Sequence, residues 1–248
     1  EDHLDVKSCN SPAMGNVFEI DKDSPLLKEE THKHFHTAVA KLLYYNMRVK
    51  IGIATAVSFL CTRVTCATEE DLKKLGRVIG YIKYSRHVGM VLLGSGELVL
   101  KGYVDAAFGG HADGKSHTGM VIMLGDACVE FKSSKQKIVT RDSTEAELVG
   151  ASDRVTNLMY CYEFMCEQMG SFPVPQLMQD NQSAIAMMTL GQGMARTKHL
   201  RVRKHALKEL VDNKELLVVF TPGGEMKADL LTKPLRGTLF RTHLASVE

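Results

Sequence analysis

The chain lacks any apolar run approaching the roughly 20 residues that a membrane-spanning helix needs, so no span is expected. It also lacks the organisation of a secretory signal: EDHLDVKSCN is acidic and polar. A strong net charge is missing too. Against 29 Asp and Glu stand 31 Lys and Arg, leaving +2. Bulk attraction to nucleic acid is therefore not implied, and any basic signal has to be local. Cysteine is present but never as a CxxC pair: Cys9, Cys61, Cys66, Cys128, Cys161 and Cys166 are all wide of zinc-ligand spacing. Cys61, Cys161 and Cys166 fall inside apolar helical patterns, which reads as reduced, buried thiols of an intracellular protein, cytoplasmic or nuclear. His32 and His36 would share a helix face, but no HExxH glutamate and no third ligand accompany them. With His34 they read as surface histidines.

What is present suits a globular protein. At 248 residues and 44% apolar, the chain has room for one domain and a smaller attachment. Residues 1–27 show no period and read as a tail or extended lead-in. A helical segment is expected over 28–87. Phe35, Val39, Leu42, Leu43 and Met47 recur at helical spacing within 29–47, and KIGIATAVSFLCTRV reads as a buried helix over 50–64. A third helix opens at Thr68-Glu69-Glu70-Asp71, a capping-box pattern. From residue 88 the period shortens. VGMVLL and ELVLKGYVDAAF read as a hairpin about Gly94-Ser95-Gly96, followed by HTGMVIML, ACVEFKSS and KIVTR as an antiparallel meander. Helical spacing then runs from Leu148 to Cys166, with Ser143 or Thr144 as cap. A short strand over 176–179, helices over 181–190 and 198–212, a strand over 216–222 and a last helix over 225–233 complete an α/β domain. Its expected span is 88–240, with 241–248 as a C-terminal tail.

Four acids hold positions where a layered α/β domain gathers chemistry. Asp105 and Asp180 each close a short apolar strand, and strand ends are where open sheets bind ligands. Glu147 lies in the first turns of the long helix and Asp229 on the last one. Carboxylates converging from such elements suit hard divalent cations such as Mg²⁺. Acids after strands and in first helical turns also act as turn-formers and caps, and spacing alone leaves both readings open.

Ordered motifs decide further. GYVDAAFGG, HTGMVIMLGDACVEFKSSKQKIV, DSTEAELVGASD, QDNQSAIAM, RTKHLRVRKHALKELV and KADLLTKPL occur in that order. Together they resemble the ribonuclease H region of copia-type retrotransposon Pol polyproteins, over residues 68–240. The stretch from SPLLKEE to YIKYSRH is similar to the segment joining reverse transcriptase to ribonuclease H. The resemblance implies a ribonuclease H-like mixed sheet with flanking helices, preceded by a small helical segment. It also implies hydrolysis of the RNA strand of RNA–DNA hybrids with two Mg²⁺ or Mn²⁺ ions, held by Asp105, Glu147, Asp180 and Asp229. Glu147 is taken over Glu145 because it directly precedes the apolar Leu148 and the two cannot face inward together. Two departures stand out. Ala107 occupies a position usually acidic in the family, and Arg141-Asp142 replaces a small uncharged pair. No YxDD-like polymerase motif and no protease or integrase signature occurs, so this stretch is not expected to synthesise DNA, and a separate reverse transcriptase chain is a candidate partner. The alternative is a remnant that binds nucleic acid without cutting it.

One local basic signal remains. Arg196, Lys198, Arg201, Arg203, Lys204 and Lys208 fall in a stretch without acids, with His199 and His205 among them. On a helix Arg201, Lys204, His205 and Lys208 share a face. That is a solvated basic face, or a phosphate-contacting one if the substrate is a hybrid duplex. Arg196, Lys198, Arg201, Lys204 and Lys208 are the candidate contacts, and His199 and His205 the auxiliary ones. Asn181 is expected to cap the helix that follows Asp180.

Overall fold

A computed structural model describes residues 6–92, 95–192 and 198–248. Three consecutive strands, β1 (Leu100–Ala107), β2 (His117–Leu124) and β3 (Ala127–Lys135), form an antiparallel meander; KIVTR, expected as its last strand, is instead irregular chain leading to the next helix. Gly125 makes the tight turn between β2 and β3 at φ 59°, where a side chain would also run into the Ser95 carbonyl. The long helix α4 (Ser143–Met169) then carries the chain across the sheet. It sets β4 (Gln176–Gln179) parallel to β1. Helices α5 (Gln182–Thr189) and α6 (Lys198–Asp212) lead to β5 (Leu217–Phe220), parallel to β4. The strand order is β3-β2-β1-β4-β5. This is the mixed sheet with flanking helices that the resemblance implies.

The inner strand β2 is buried along nearly its whole length, because helices cover both faces of the sheet. Met120 and Ile122 join Leu148, Ala151 and Leu158 of α4 and Leu207 of α6 in one core. Val121 and Met123 point the other way, into a second core. That core is closed by α2 (Ala54–Cys61), α3 (Glu69–Tyr84) and, outside α2, α1 (Glu29–Val49). The capping box at the start of α3 is complete: the Thr68 hydroxyl accepts from the Asp71 amide, and the Asp71 carboxylate accepts from the Thr68 amide. The same carboxylate pairs with the buried Arg63 at 3.0 Å.

Several expectations are corrected. Among the described residues, the stretch before Leu100 holds no strand. Both edges of β1 are taken by β2 and β4, so a preceding hairpin strand has nowhere to pair. Val91 instead donates its amide to the Glu248 carbonyl. The cap of α4 is Asp142, which accepts from the Glu145 amide, rather than Ser143 or Thr144. The expected helix over 225–233 is two short 3₁₀ turns, Gly223–Glu225 and Lys227–Leu231. Parts of both expected tails are packed. Ala13, Val17, Phe18 and Leu27 of the lead-in lie in the second core. Helix α7 (Gly237–Ala245) puts Leu244 of the C-terminal tail, followed by Val247, in the same core. Apolar residues so thinly spaced show no period, yet each is buried.

Candidate metal centre

Parallel pairing of β1 with β4 stops at Tyr103 and Met178. Beyond it β1 continues alongside β2, while β4 ends at Gln179. The mouth between the two strands gathers carboxylates. Asp105 lies inside β1 opposite Gly119, not beyond the strand as expected, and is buried. Asp180 follows β4 directly. Glu147, one turn into α4, is aimed down by the apolar stripe of that helix and is buried. One carboxylate oxygen from each of Asp105, Glu147 and Asp180 lies within 4.8 Å of the others. Glu145 is turned away from them: its Oε2 accepts from the Arg141 amide at 3.1 Å.

The three acids are held by specific bonds. Glu147 Oε1 accepts from the Ala106 amide and Oε2 from the Gln179 side-chain amide, both at 3.2 Å. Gln179 is fully buried, and its Oε1 in turn accepts from the backbone amides of Asp180 at 2.8 Å and Asn181 at 3.0 Å. One side chain thus locks the end of β4 to the Glu147 face of α4. Asn181 caps α5 by accepting from the Ala184 amide at 3.0 Å. The Thr232 hydroxyl donates to Asp105 Oδ2.

Asp229, on the Lys227–Leu231 turn, stands outside the three-acid group among the described residues. Its Oδ1 is 2.6 Å from Lys233 Nζ, and the same ammonium lies 3.7 Å from Asp105 Oδ2.

Charge is crowded here. Burial, with the neighbouring Asp105 carboxylate adding to it, pushes the Glu147 carboxyl up to about 9. Burial, then Asp105, also raises Asp180. Burial lifts Asp229 to about 6, although its bond to Lys233 pulls the other way. Burial acts against the Lys233 ammonium, but Asp105 and Asp229 outweigh it and raise Lys233 above the ordinary lysine value. A divalent cation with oxygen ligands supplies the positive charge that this donor set lacks, so the residues present fit such an ion.

No family model matches the chain. Relatives do. The retrovirus-related Pol polyprotein from transposon TNT 1-94 of Nicotiana tabacum is 28% identical over 234 residues, covering 92% of this chain and 18% of the relative. That from transposon RE1 of Arabidopsis thaliana is 28% identical over 207 residues, covering 83% of the chain and 14% of the relative. The chain is homologous to retrovirus-related transposon Pol polyproteins. This Pol homologue spans less than a fifth of the length of these two relatives. Among solved structures, LC11-RNase H1 in complex with an RNA/DNA hybrid is 14% identical, with a TM-score of 0.40, over 53% of this chain and 92% of that one.

The basic helix of the Pol homologue divides in two. Lys198, His199, Arg201 and His205 are exposed on α6. Lys204 is corrected: it does not share a solvent face with them. It falls between Leu200 and Leu207 on the buried stripe of the helix, and its Nζ donates to the Gly191 carbonyl at 2.7 Å. Lys208 pairs with Asp212 at 2.7 Å and reaches the Thr189 carbonyl at 3.4 Å. Arg203 pairs with Asp153 of α4. Arg196 lies outside the described residues. Sequence reasoning missed Gln179, Thr232 and Lys233. The signal available was adjacency alone: Gln179 precedes Asp180, and Thr232-Lys233 follows Asp229 within KADLLTKPL.

Proposed function

We propose that this chain is a metal-dependent ribonuclease H that hydrolyses the RNA strand of RNA–DNA hybrids. The observation that carries the reading is the convergence of Asp105, Glu147 and Asp180 within 4.8 Å at the strand mouth. Homology to transposon Pol polyproteins and the ribonuclease H-like sheet support it. Asp105, Glu147, Asp180 and Asp229 would hold Mg²⁺ or Mn²⁺. When bound, such ions activate a water and stabilise the leaving oxygen of a phosphodiester.

The residues of the chain supply the rest. Asp105 sits on the central sheet and Glu147 on the helix across it, so the two approach the mouth from different elements. Gln179 fixes the distance between Glu147 and the Asp180 backbone. The open side of the mouth admits a duplex along its wide, shallow minor groove, where 2′-hydroxyls mark the RNA strand. Lys198 and Arg201, exposed on α6, are assigned to backbone phosphates, and Arg196 joins them by sequence. His199 and His205 stand in the same exposed stretch as auxiliary groups. Binding of this kind weakens steadily as salt rises.

The test is strand-resolved. With Mg²⁺ or Mn²⁺, the purified chain should cut the RNA of a hybrid and spare duplex DNA and single-stranded RNA. Asp180→Asn should lower that rate by at least about a hundredfold while far-UV circular dichroism stays unchanged. Full activity in the folded variant would remove the site assignment.

A further inference from the structure

Three acids of the candidate centre face one another, but the fourth faces a cation that the chain provides. Lys233 Nζ lies 2.6 Å from Asp229 Oδ1 and 3.7 Å from Asp105 Oδ2. Asp105 Oδ2 is at the same time the acceptor of the Thr232 hydroxyl. The ammonium therefore sits between the carboxylate of Asp105 on β1 and that of Asp229 on the Lys227–Leu231 turn. Asp105 and Asp180 each act on the charge of Asp229, so all of these groups lie within electrostatic reach.

Lys233 is not locked in place. Its side chain is 42% exposed, and its backbone amide donates to the Asp229 carbonyl at 3.0 Å where the 3₁₀ turn ends. A compact charge on a four-carbon stem can swing outward while the backbone stays where it is.

We propose that the Lys233 ammonium is a built-in competitor for divalent cation between Asp105 and Asp229. Asp105, Glu147 and Asp180 then accept a first ion readily, and a further ion binds only as Lys233 swings out. The physical cause is direct. A monovalent ammonium satisfies both carboxylates in the free protein, and two cations within about 4 Å repel strongly when partly shielded from water. Lys233 thus offsets the repulsion between carboxylates in the free site and sets the metal concentration at which the site fills. This inference rests on the metal reading of the acid cluster given above.

The full chain tests it by Mn²⁺ titration, with free Mn²⁺ read by electron paramagnetic resonance and no substrate present. Wild type should show one tight step and one weaker step. Lys233→Gln should tighten the weaker step by about tenfold or more and leave the tight step within about threefold. Lys233→Arg, whose planar fork binds a carboxylate in two places, should weaken the weaker step further, and it keeps the test open if the glutamine variant does not fold. Equal weaker steps in wild type and either folded variant would overturn the proposal while leaving the first-ion site standing. Absence of any Mn²⁺ binding to wild type would overturn it together with the metal reading itself.

Discussion

At the scale of single residues, the acid cluster and a buried histidine pair pull stability in opposite directions with pH. Glu147 is held up to about 9 in the folded chain, so its contribution is fully present below the unfolded value near 4.5 and is lost as pH rises towards 9. At pH 7 that loss is on the order of 3 kcal/mol, at about 1.4 kcal/mol per pKa unit. His111 and His117 do the reverse. Their rings bond at 2.9 Å, and His117 bonds Ser133 at 2.7 Å. Burial first, and then nearby positive groups, depresses them to about 4 and about 3. Their contribution is present above about 6.5 and lost as pH falls towards 4. Thermal melts of the chelated protein should therefore decline on both sides of neutrality. Saturating Mn²⁺ should remove the alkaline decline and leave the acid one, whereas loss of both declines, or of neither, would contradict this assignment. The four acids were legible as residues, since each stands in a recognisable string. Gln179, Thr232 and Lys233 were not, because their roles arise only when β4 meets α4 and the 227–231 turn meets β1.

At the scale of elements, one close contact places the 3₁₀ turn that carries Asp229. A methyl group on Gly119 would meet Leu231 Cβ at 2.7 Å, the Ala228 carbonyl at 2.8 Å and Thr232 Cγ2 at 2.9 Å. Two of these atoms have no side-chain torsion to relieve them, so the turn must move off β2. Gly119→Ala should weaken Mn²⁺ binding measurably as well as lower the melting temperature. Gly102 makes the control: its added methyl would meet the end of Leu158 at 2.9 Å, which can rotate away. Gly102→Ala should leave metal affinity within about twofold, by the same side-chain adaptability that softens core substitutions. The capping box of α3 was read directly from Thr68-Glu69-Glu70-Asp71, and Thr68→Ala should cost about 1 kcal/mol in a denaturant titration. Long periodic helices and the meander could be read from their spacing. The 3₁₀ turns could not, since KADLL carries the same apolar spacing in either helix type, and Lys204 could not, since a lysine on the buried stripe looks like a basic face in sequence.

At the scale of the whole molecule, the helices before residue 88 are a layer of the sheet's second core. Val57, Phe59 and Leu60 share that core with Val121, Met123, Leu230 and Leu231. A fragment that begins at residue 88 would expose these side chains on one face of the sheet. It should lose its sharp thermal transition and bind a hydrophobic dye, while the full chain melts cooperatively. A fragment with an unchanged transition would contradict the shared core. The division at residue 87 marks a change of period in the sequence, whereas burial runs across it.

Asp105, Glu147 and Asp180 are proposed to form a metal centre that cuts RNA paired with DNA. The most direct measurement incubates the full chain with a hybrid labelled on each strand in turn, with Mg²⁺ or Mn²⁺ and then with excess EDTA. Shortened RNA, intact DNA and complete arrest by EDTA are the predicted result. Salt-sensitive binding of the hybrid with no metal-dependent RNA product would contradict that role for the three acids.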